Sequence, residues 1–164
     1  MMLEKNATNA RTAATPTHLR PILLVEDNPM DIDLTLQAFE EHQVANPIVV
    51  CRDGEEALQY MEAHRDPGTT HLPLLVLLDL RLPKVDGLDV LRHVSQDDVW
   101  KRIPFVVLTT SRENQDVEAA YKLGVNSYIV KPVEFLSFTE VVKAIKLYWL
   151  LTNEAPFPAG GSSR

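Results

Sequence analysis

The sequence predicts a doubly wound α/β domain, with five parallel strands in one sheet and helices on both faces. Three observations carry this. Five short apolar runs, near residues 21–26, 47–51, 73–79, 104–109 and 127–130, show no in–out alternation, the pattern of strands buried on both faces. Each run is followed by a segment with apolar residues at helical spacing. Four of the runs end in residues that handle phosphate and metal: Glu26-Asp27, Asp79, Thr109-Thr110-Ser111 and Lys131-Pro132.

Residues 1–19 are rich in Ala, Thr and Asn, lack periodicity, and read as a disordered tail. Ile22-Leu23-Leu24-Val25 is the first strand. The first helix runs from about Pro29 to Glu41, with Ile32, Leu36 and Phe39 at i, i+4 and i+7. Asn28 suits its N-cap and proline its first turn. The second strand ends at Cys51, and the second helix, about Gly54 to His64, turns Ala57, Leu58 and Met61 inward. The third strand closes on Asp79. The third helix follows Gly87 with Leu88, Leu91 and Val94. The fourth helix, about Glu113 to Leu123, stops at Gly124, a residue suited to a helix C-cap. The fifth starts near Glu134 and carries Phe135, Phe138, Val142, Ile145 and Trp149. Residues 20–150 form the domain and 151–164 a C-terminal arm.

A chain of 164 residues with 45% hydrophobic content fits one domain with its own core. The formal charge of −7, with no run of Lys or Arg, argues against nucleic acid as a partner. Cys51 is the only cysteine, which rules out an internal disulfide and a cysteine-rich metal site. It reads as a small buried residue at a strand end. The N-terminus lacks the apolar stretch of a signal peptide, and no apolar run approaches the ~20 residues that span a bilayer. The expected compartment is a reducing cytoplasm, with no membrane. His18, His42, His64, His71 and His93 have no ligand spacing and are expected at the surface.

In open parallel sheets, ligands bind beyond the carboxyl ends of the strands, where strand order reverses. Glu26, Asp27, Asp79, Thr109 and Lys131 all fall at such ends, so one sheet edge can gather them. Crowded carboxylates raise one another's pKa, and a divalent cation removes the conflict. Mg2+ prefers carboxylate oxygens and water and keeps places for phosphate oxygens. Asp27 and Asp79 are therefore candidate direct ligands, Glu26 acts through water, and the backbone carbonyl of Arg81 offers another oxygen. Asp79 can also be a nucleophile toward phosphorus, giving an acyl phosphate. Lys131 would pair with a phosphoryl oxygen and Thr109 would donate a hydroxyl hydrogen bond to another. Pro132 suits a tight bend, of the kind a cis prolyl bond makes, that aims Lys131 inward.

With these motifs in view the chain resembles the receiver domain of two-component response regulators, over about residues 20–150. The resemblance rests on Val-Glu-Asp-Asn, Leu-Leu-Asp-Leu-Arg-Leu-Pro-Lys-Val-Asp-Gly, Leu-Thr-Thr-Ser and Tyr-Ile-Val-Lys-Pro. It implies a flavodoxin-like receiver fold and a phosphorylation switch fed by a histidine kinase. It implies that Asp79 is the phosphorylated residue, with Glu26 and Asp27 as the acidic pair holding magnesium. It implies Thr109 and Tyr128 as the switch pair and Lys131 as the family's lysine. Arg81 and Ser111 fall where receivers tune dephosphorylation. Such a domain catalyses only its own phosphotransfer and autodephosphorylation, and is not counted as an enzyme.

About 14 residues follow Leu150, too few for a DNA-binding or enzymatic output module, so output is expected through protein contacts. Leu147-Tyr148-Trp149-Leu150-Leu151 is apolar at five consecutive positions, and a helix cannot turn all of them to its own core. A homodimer through Tyr148, Trp149, Leu150 and Phe157 is expected, against the alternative of an arm folded back on its own domain. The insert at 64–71, the Gln96–Arg102 segment with Trp100, and the Tyr148-Trp149-Leu150 ending resemble the stand-alone receivers paired with bacterial and cyanobacterial phytochromes. That implies a phytochrome-type kinase as phosphodonor. A phosphohydrolase with a strand-end aspartate would need a second acid two residues on, where Arg81 stands. A pure adaptor would have lost the acidic pair or the lysine. A GTPase would need a Gly-x-x-x-x-Gly-Lys-Ser/Thr loop, which is absent.

Overall fold

The computed structural model describes residues 19–67 and 72–156. Five parallel strands form one sheet: β1 (Ile22–Val25), β2 (Ile48–Cys51), β3 (Leu75–Leu78), β4 (Phe105–Thr109) and β5 (Ser127–Val130). Their order is β2-β1-β3-β4-β5. The helices are α1 (Pro29–Glu41), α2 (Gly54–Ala63), α3 (Gly87–Ser95), α4 (Asn114–Lys122) and α5 (Phe135–Ile145).

Residues along the central strands divide between two cores. Leu23, Val25, Val76, Leu78, Phe105 and Val107 face α2, α3 and α4 through Met61, Leu91 and Ala120. Ile22, Leu24, Leu75, Leu77, Val106 and Leu108 face α1 and α5 through Phe39, Phe138 and Val142. This is why no strand alternates in polarity: each face of the pleat has its own helical layer. The edge strands β2 and β5 are less buried, as their position requires.

The caps follow the sequence closely. Asn28 Oδ1 accepts from the Met30 and Asp31 N–H groups, and Pro29 occupies the first helical position. Asp53 and Asp86 cap α2 and α3 in the same way. α4 ends one residue before the expected Leu123; Gly124 follows with φ +91°, a left-handed conformation that a Cβ disfavours.

Trp100 begins a short 3-10 helix and is fully buried, its Nε1 donating to the Met61 carbonyl at 3.0 Å. Asp97 receives the Val99 and Trp100 N–H groups and pairs with Arg65 at 3.2 Å. The segments after α2 and α3 are thereby joined. Cys51 is buried as expected, and burial pushes its thiol up to about 12.

Three expectations change. No cis peptide bond occurs among the described residues, so Lys131-Pro132 bends in the trans form. His93 is exposed, but His42 and His64 are half-buried, their rings against the Thr139 and Tyr60 carbonyls at 2.9 and 2.7 Å. The apolar run after α5 leaves α-geometry: Lys146–Leu150 winds as a π-helical turn, which spreads its side chains more widely around the axis. His18, His71, Phe157 and the two chain ends beyond 19 and 156 lie outside the described residues. Among those described, no helix is long and apolar enough to cross a membrane.

Candidate functional site

Strand order reverses between β1 and β3, so a crevice opens beyond their carboxyl ends. Glu26, Asp27 and Asp79 are the residues leaving those strands. The Asp79 N–H bonds the Val25 carbonyl at 3.0 Å, which carries the sheet ladder into the site. One oxygen from each of the three carboxylates lies within 4.8 Å of the others. Glu26 is buried, Asp79 is 8% exposed, and Asp27 stands open to solvent at the mouth.

Lys131 leaves β5, its N–H bonded to the Thr109 carbonyl at 2.7 Å. Its buried ammonium donates to Glu26 Oε2, to Asp31 Oδ2 at 3.1 Å and to Asp79 Oδ2 at 3.3 Å. Glu26 Oε1 accepts the Asn28 N–H at 3.1 Å. Both Glu26 oxygens are thus engaged by the protein, whereas Asp27 faces outward. Asp31 is a partner the sequence reading missed. It stands in the first turn of α1, where an acid is ordinarily explained by the helix dipole.

Burial drives the Glu26 carboxyl up to about 7; the Asp79 charge adds to the rise and the Lys131 hydrogen bond opposes it. Burial alone would lower the Lys131 pKa, but the Asp79 charge and the Glu26 bond outweigh it and hold the ammonium above its ordinary value. Three carboxylates, Glu26, Asp31 and Asp79, share this one lysine, and Asp27 adds a fourth negative charge beside them. The all-oxygen donor set and its surplus of negative charge fit a hard divalent cation.

A carboxyl raised by folding contributes stability that is complete below its ordinary value of 4.5 and lost as pH climbs through about 7. The cation-free protein is therefore expected to lose thermal stability between about pH 5 and pH 8, and Glu26→Gln to flatten that loss. Unfolding scans of the two chains across this range check it. Identical slopes would remove Glu26 from the account.

Thr109 ends β4 fully buried, and its Oγ1 accepts the Ser111 N–H at 3.4 Å. The half-buried Tyr128 donates its hydroxyl to the Ser111 carbonyl at 3.0 Å. Ser111 therefore links the two residues of the expected switch pair. The Arg81 N–H donates to Asp79 Oδ1 at 3.4 Å, while its guanidinium reaches Asp116 Oδ2 on α4 at 2.6 Å. The Ser111 hydroxyl donates to that same oxygen at 2.5 Å. Asp116 was also missed; its only signal is an acid in the first turn of a helix on the side that later carries the buried Ala120.

The loop from Asp79 returns at Gly87, whose N–H bonds the Leu80 carbonyl at 2.8 Å. A Cβ at Gly87 would lie 2.4 Å from the Asp79 carbonyl oxygen and 2.6 Å from Leu80 Cα. Gly87→Ala must push the loop away from the crevice, and is expected to cost about 2 kcal/mol in urea unfolding. Tyr148, Trp149 and Leu150 take no part here; they lie in the π-helical turn after α5.

Fold and crevice together define the class: a doubly wound parallel α/β domain with an acidic cluster and a buried lysine at its switch point. The response regulator receiver domain family matches residues 22–145, and the chain belongs to that family. It is 46% identical over 138 residues to the probable methanogenesis regulatory protein FilR2 of Methanothrix harundinacea, spanning 84% of this chain and 88% of that one. It is 38% identical over 135 residues to response regulator Rcp1 of Synechocystis sp., spanning 82% and 92%. The Mn2+-bound form of Rcp1 superposes with a TM-score of 0.75 at 37% identity, over 84% of this chain and 99% of that chain. The phosphorylated cyanobacterial phytochrome response regulator RcpA superposes with a TM-score of 0.77 at 40% identity, over 84% and 99%.

Proposed function

We propose that this chain is a phosphorylation switch that accepts a phosphoryl group on Asp79 from a histidine kinase. The observation that carries the reading is the Lys131 ammonium donating to Asp79 Oδ2 at 3.3 Å in a crevice that also holds Glu26 and Asp27. Mg2+ held by Asp27, Asp79 and the Arg81 carbonyl, with Glu26 through water, would neutralise charge on the transferring group.

The remaining work falls to the chain. The Asp79 carboxylate attacks phosphorus, and the bond from phosphorus to the donor breaks. Lys131 is already charged and aimed at the oxygen where negative charge gathers, so it needs no rearrangement to stabilise the product. Thr109 offers a hydroxyl to a second phosphoryl oxygen. Its movement draws on the Ser111 N–H that it now accepts, and Ser111 in turn holds Tyr128. Tyr128 then turns inward and the surface of α4, β5 and α5 repacks. The likeness to RcpA, a cyanobacterial phytochrome response regulator, supports a phytochrome-type kinase as the phosphodonor, and a cytoplasmic setting goes with that reading.

The test is intact mass spectrometry after incubation with acetyl phosphate and Mg2+. One base-labile phosphoryl group is expected, absent when the cation is chelated. A chain that gains no phosphoryl group under these conditions is not a phosphoacceptor.

Output through a homodimer belongs to the same proposal. Leu147, Tyr148 and Leu151 are half to two-thirds exposed beside a groove of about 520 Å3 lined by Ile129, Val141 and Trp149. Part of the arm folds back: the Arg20 guanidinium donates to the Pro156 carbonyl at 2.8 Å. The dimer contact is therefore assigned to the outer side of the π-helical turn. Light scattering at micromolar concentration should give twice the chain mass, and a monomer with and without acetyl phosphate would refute it.

A further inference from the structure

We propose that Asp116 is a positioning residue for the Asp79 site. It holds the Arg81 guanidinium on α4, and so shortens the lifetime of a phosphoryl group carried by Asp79. This inference rests on Asp79 being the phosphoacceptor.

Arg81 is tied to Asp79 through its backbone, two residues along the chain, with its N–H on Asp79 Oδ1. Its side chain is committed elsewhere, at 2.6 Å from Asp116 Oδ2. A phosphoryl group on Asp79 would place a second and stronger anion within reach of the same flexible side chain. It carries about −1.5 to −2 charge and three acceptor oxygens, against one charge on a carboxylate. Arg81 is more than half exposed along its side chain, so the ion pair to Asp116 is the polar contact that holds its guanidinium.

What opposes the transfer is the state it would leave behind. Asp116 is only 8% exposed, and without Arg81 its charge would keep the Ser111 hydroxyl as its side-chain partner. Stripping a nearly buried carboxylate of its counter-charge is costly. The pair therefore restrains Arg81, and the restraint has its own electrostatic origin on α4.

Hydrolysis of the acyl phosphate proceeds by water oxygen attacking phosphorus. The bond from phosphorus to the Asp79 oxygen breaks, the carboxylate leaves with the electron pair, and the water proton passes to solvent as inorganic phosphate departs. A guanidinium laid across the phosphoryl oxygens stabilises the group before attack and narrows the approach of water. Asp116 keeps Arg81 from doing this. Its charge also reaches Tyr128 through Ser111, whose hydroxyl bonds Asp116 and whose carbonyl accepts from the tyrosine.

The experiment phosphorylates the full chain with acetyl phosphate and Mg2+, removes the donor, and follows loss of the phosphoryl group by intact mass. Asp116→Asn, which keeps the shape and removes the charge, should lengthen the half-life about three- to tenfold, the net worth of one ordinary hydrogen bond. Adding Asp116→Asn to Arg81→Ala should change the half-life of that variant by less than about twofold. An unchanged half-life in Asp116→Asn overturns the proposal. An equal change with and without the arginine overturns it too, and leaves Asp116 a structural role. A second measurement needs no variant at Asp116. The Arg81 side-chain Nε–H resonance of the wild type, assigned through Arg81→Lys, should keep the position its pair with Asp116 gives it when the chain is phosphorylated, and a resonance that moves to a new, phosphoryl-bonded position overturns the proposal. A wild type that takes up no phosphoryl group overturns the reading of Asp79 instead, and this inference with it.

Discussion

Asp79→Asn should take up no phosphoryl group from acetyl phosphate while folding as well as the parent chain. The first half follows from chemistry: a carboxamide has no anionic oxygen to attack phosphorus, and no other carboxylate stands in the same place. Glu26 is held at both oxygens, by Lys131 and the Asn28 N–H, and Asp27 faces solvent. The second half follows from the charge balance. Asparagine gives up one acceptor of the Lys131 ammonium, which keeps Glu26 and Asp31. It also removes a charge that drives the Glu26 carboxyl upward. The two changes oppose each other, so stability should stay within about 1 kcal/mol of the parent. Intact mass and urea unfolding read the two halves separately. A persistent adduct would move the phosphoacceptor to another residue.

Lys131→Ala should be the most damaging single change to stability at the site. It leaves Glu26 and Asp79, both buried, with no counter-charge, and opens Asp31 as well. Removing one partner of a buried ion pair typically costs about 3 kcal/mol or more. The loss should be larger at about pH 8 than at about pH 6, because the Glu26 carboxyl, freed of its lysine bond, rises further, and rising pH works to strip the proton that keeps it neutral in a buried site. Added Mg2+ should return part of the stability by supplying charge to the same oxygens. Phosphoryl uptake should fall sharply even then, since the charge aimed at Asp79 is gone. Cation titration of thermal unfolding at both pH values checks this. Equal losses at both would mean the lysine acts by packing alone.

The fold was legible because each strand carries two cores at once. A run such as Leu75-Val76-Leu77-Leu78, apolar at every position and too short for a helix of its own, fits a strand covered on both faces. The candidate site was legible for the same reason: once strands are parallel, the residue after each strand is placed by topology. Asp31 and Asp116 were not legible. Each stands in the first turn of a helix, where an acid has an ordinary explanation, and its true partner is 100 or 35 residues away along the chain. The end of α5 was partly legible. Five apolar positions in a row announce a departure from amphipathic helix, but only the backbone shows a π-helical turn that leaves Tyr148 53% and Leu151 67% exposed. The backward fold of the arm to Arg20 depends on a backbone carbonyl, Pro156, which no side-chain pattern reveals.

That arginine has a mechanical consequence. Arg20 binds the carbonyls of Leu72 and Pro73, just ahead of β3, as well as that of Pro156. Both flanks of the described domain are therefore fastened at one point, on the sheet edge opposite Asp79. Tension applied through the two flanks loads this junction before it loads the strands. A tether attached at these flanks therefore meets the end of the sheet opposite the one that carries Asp79.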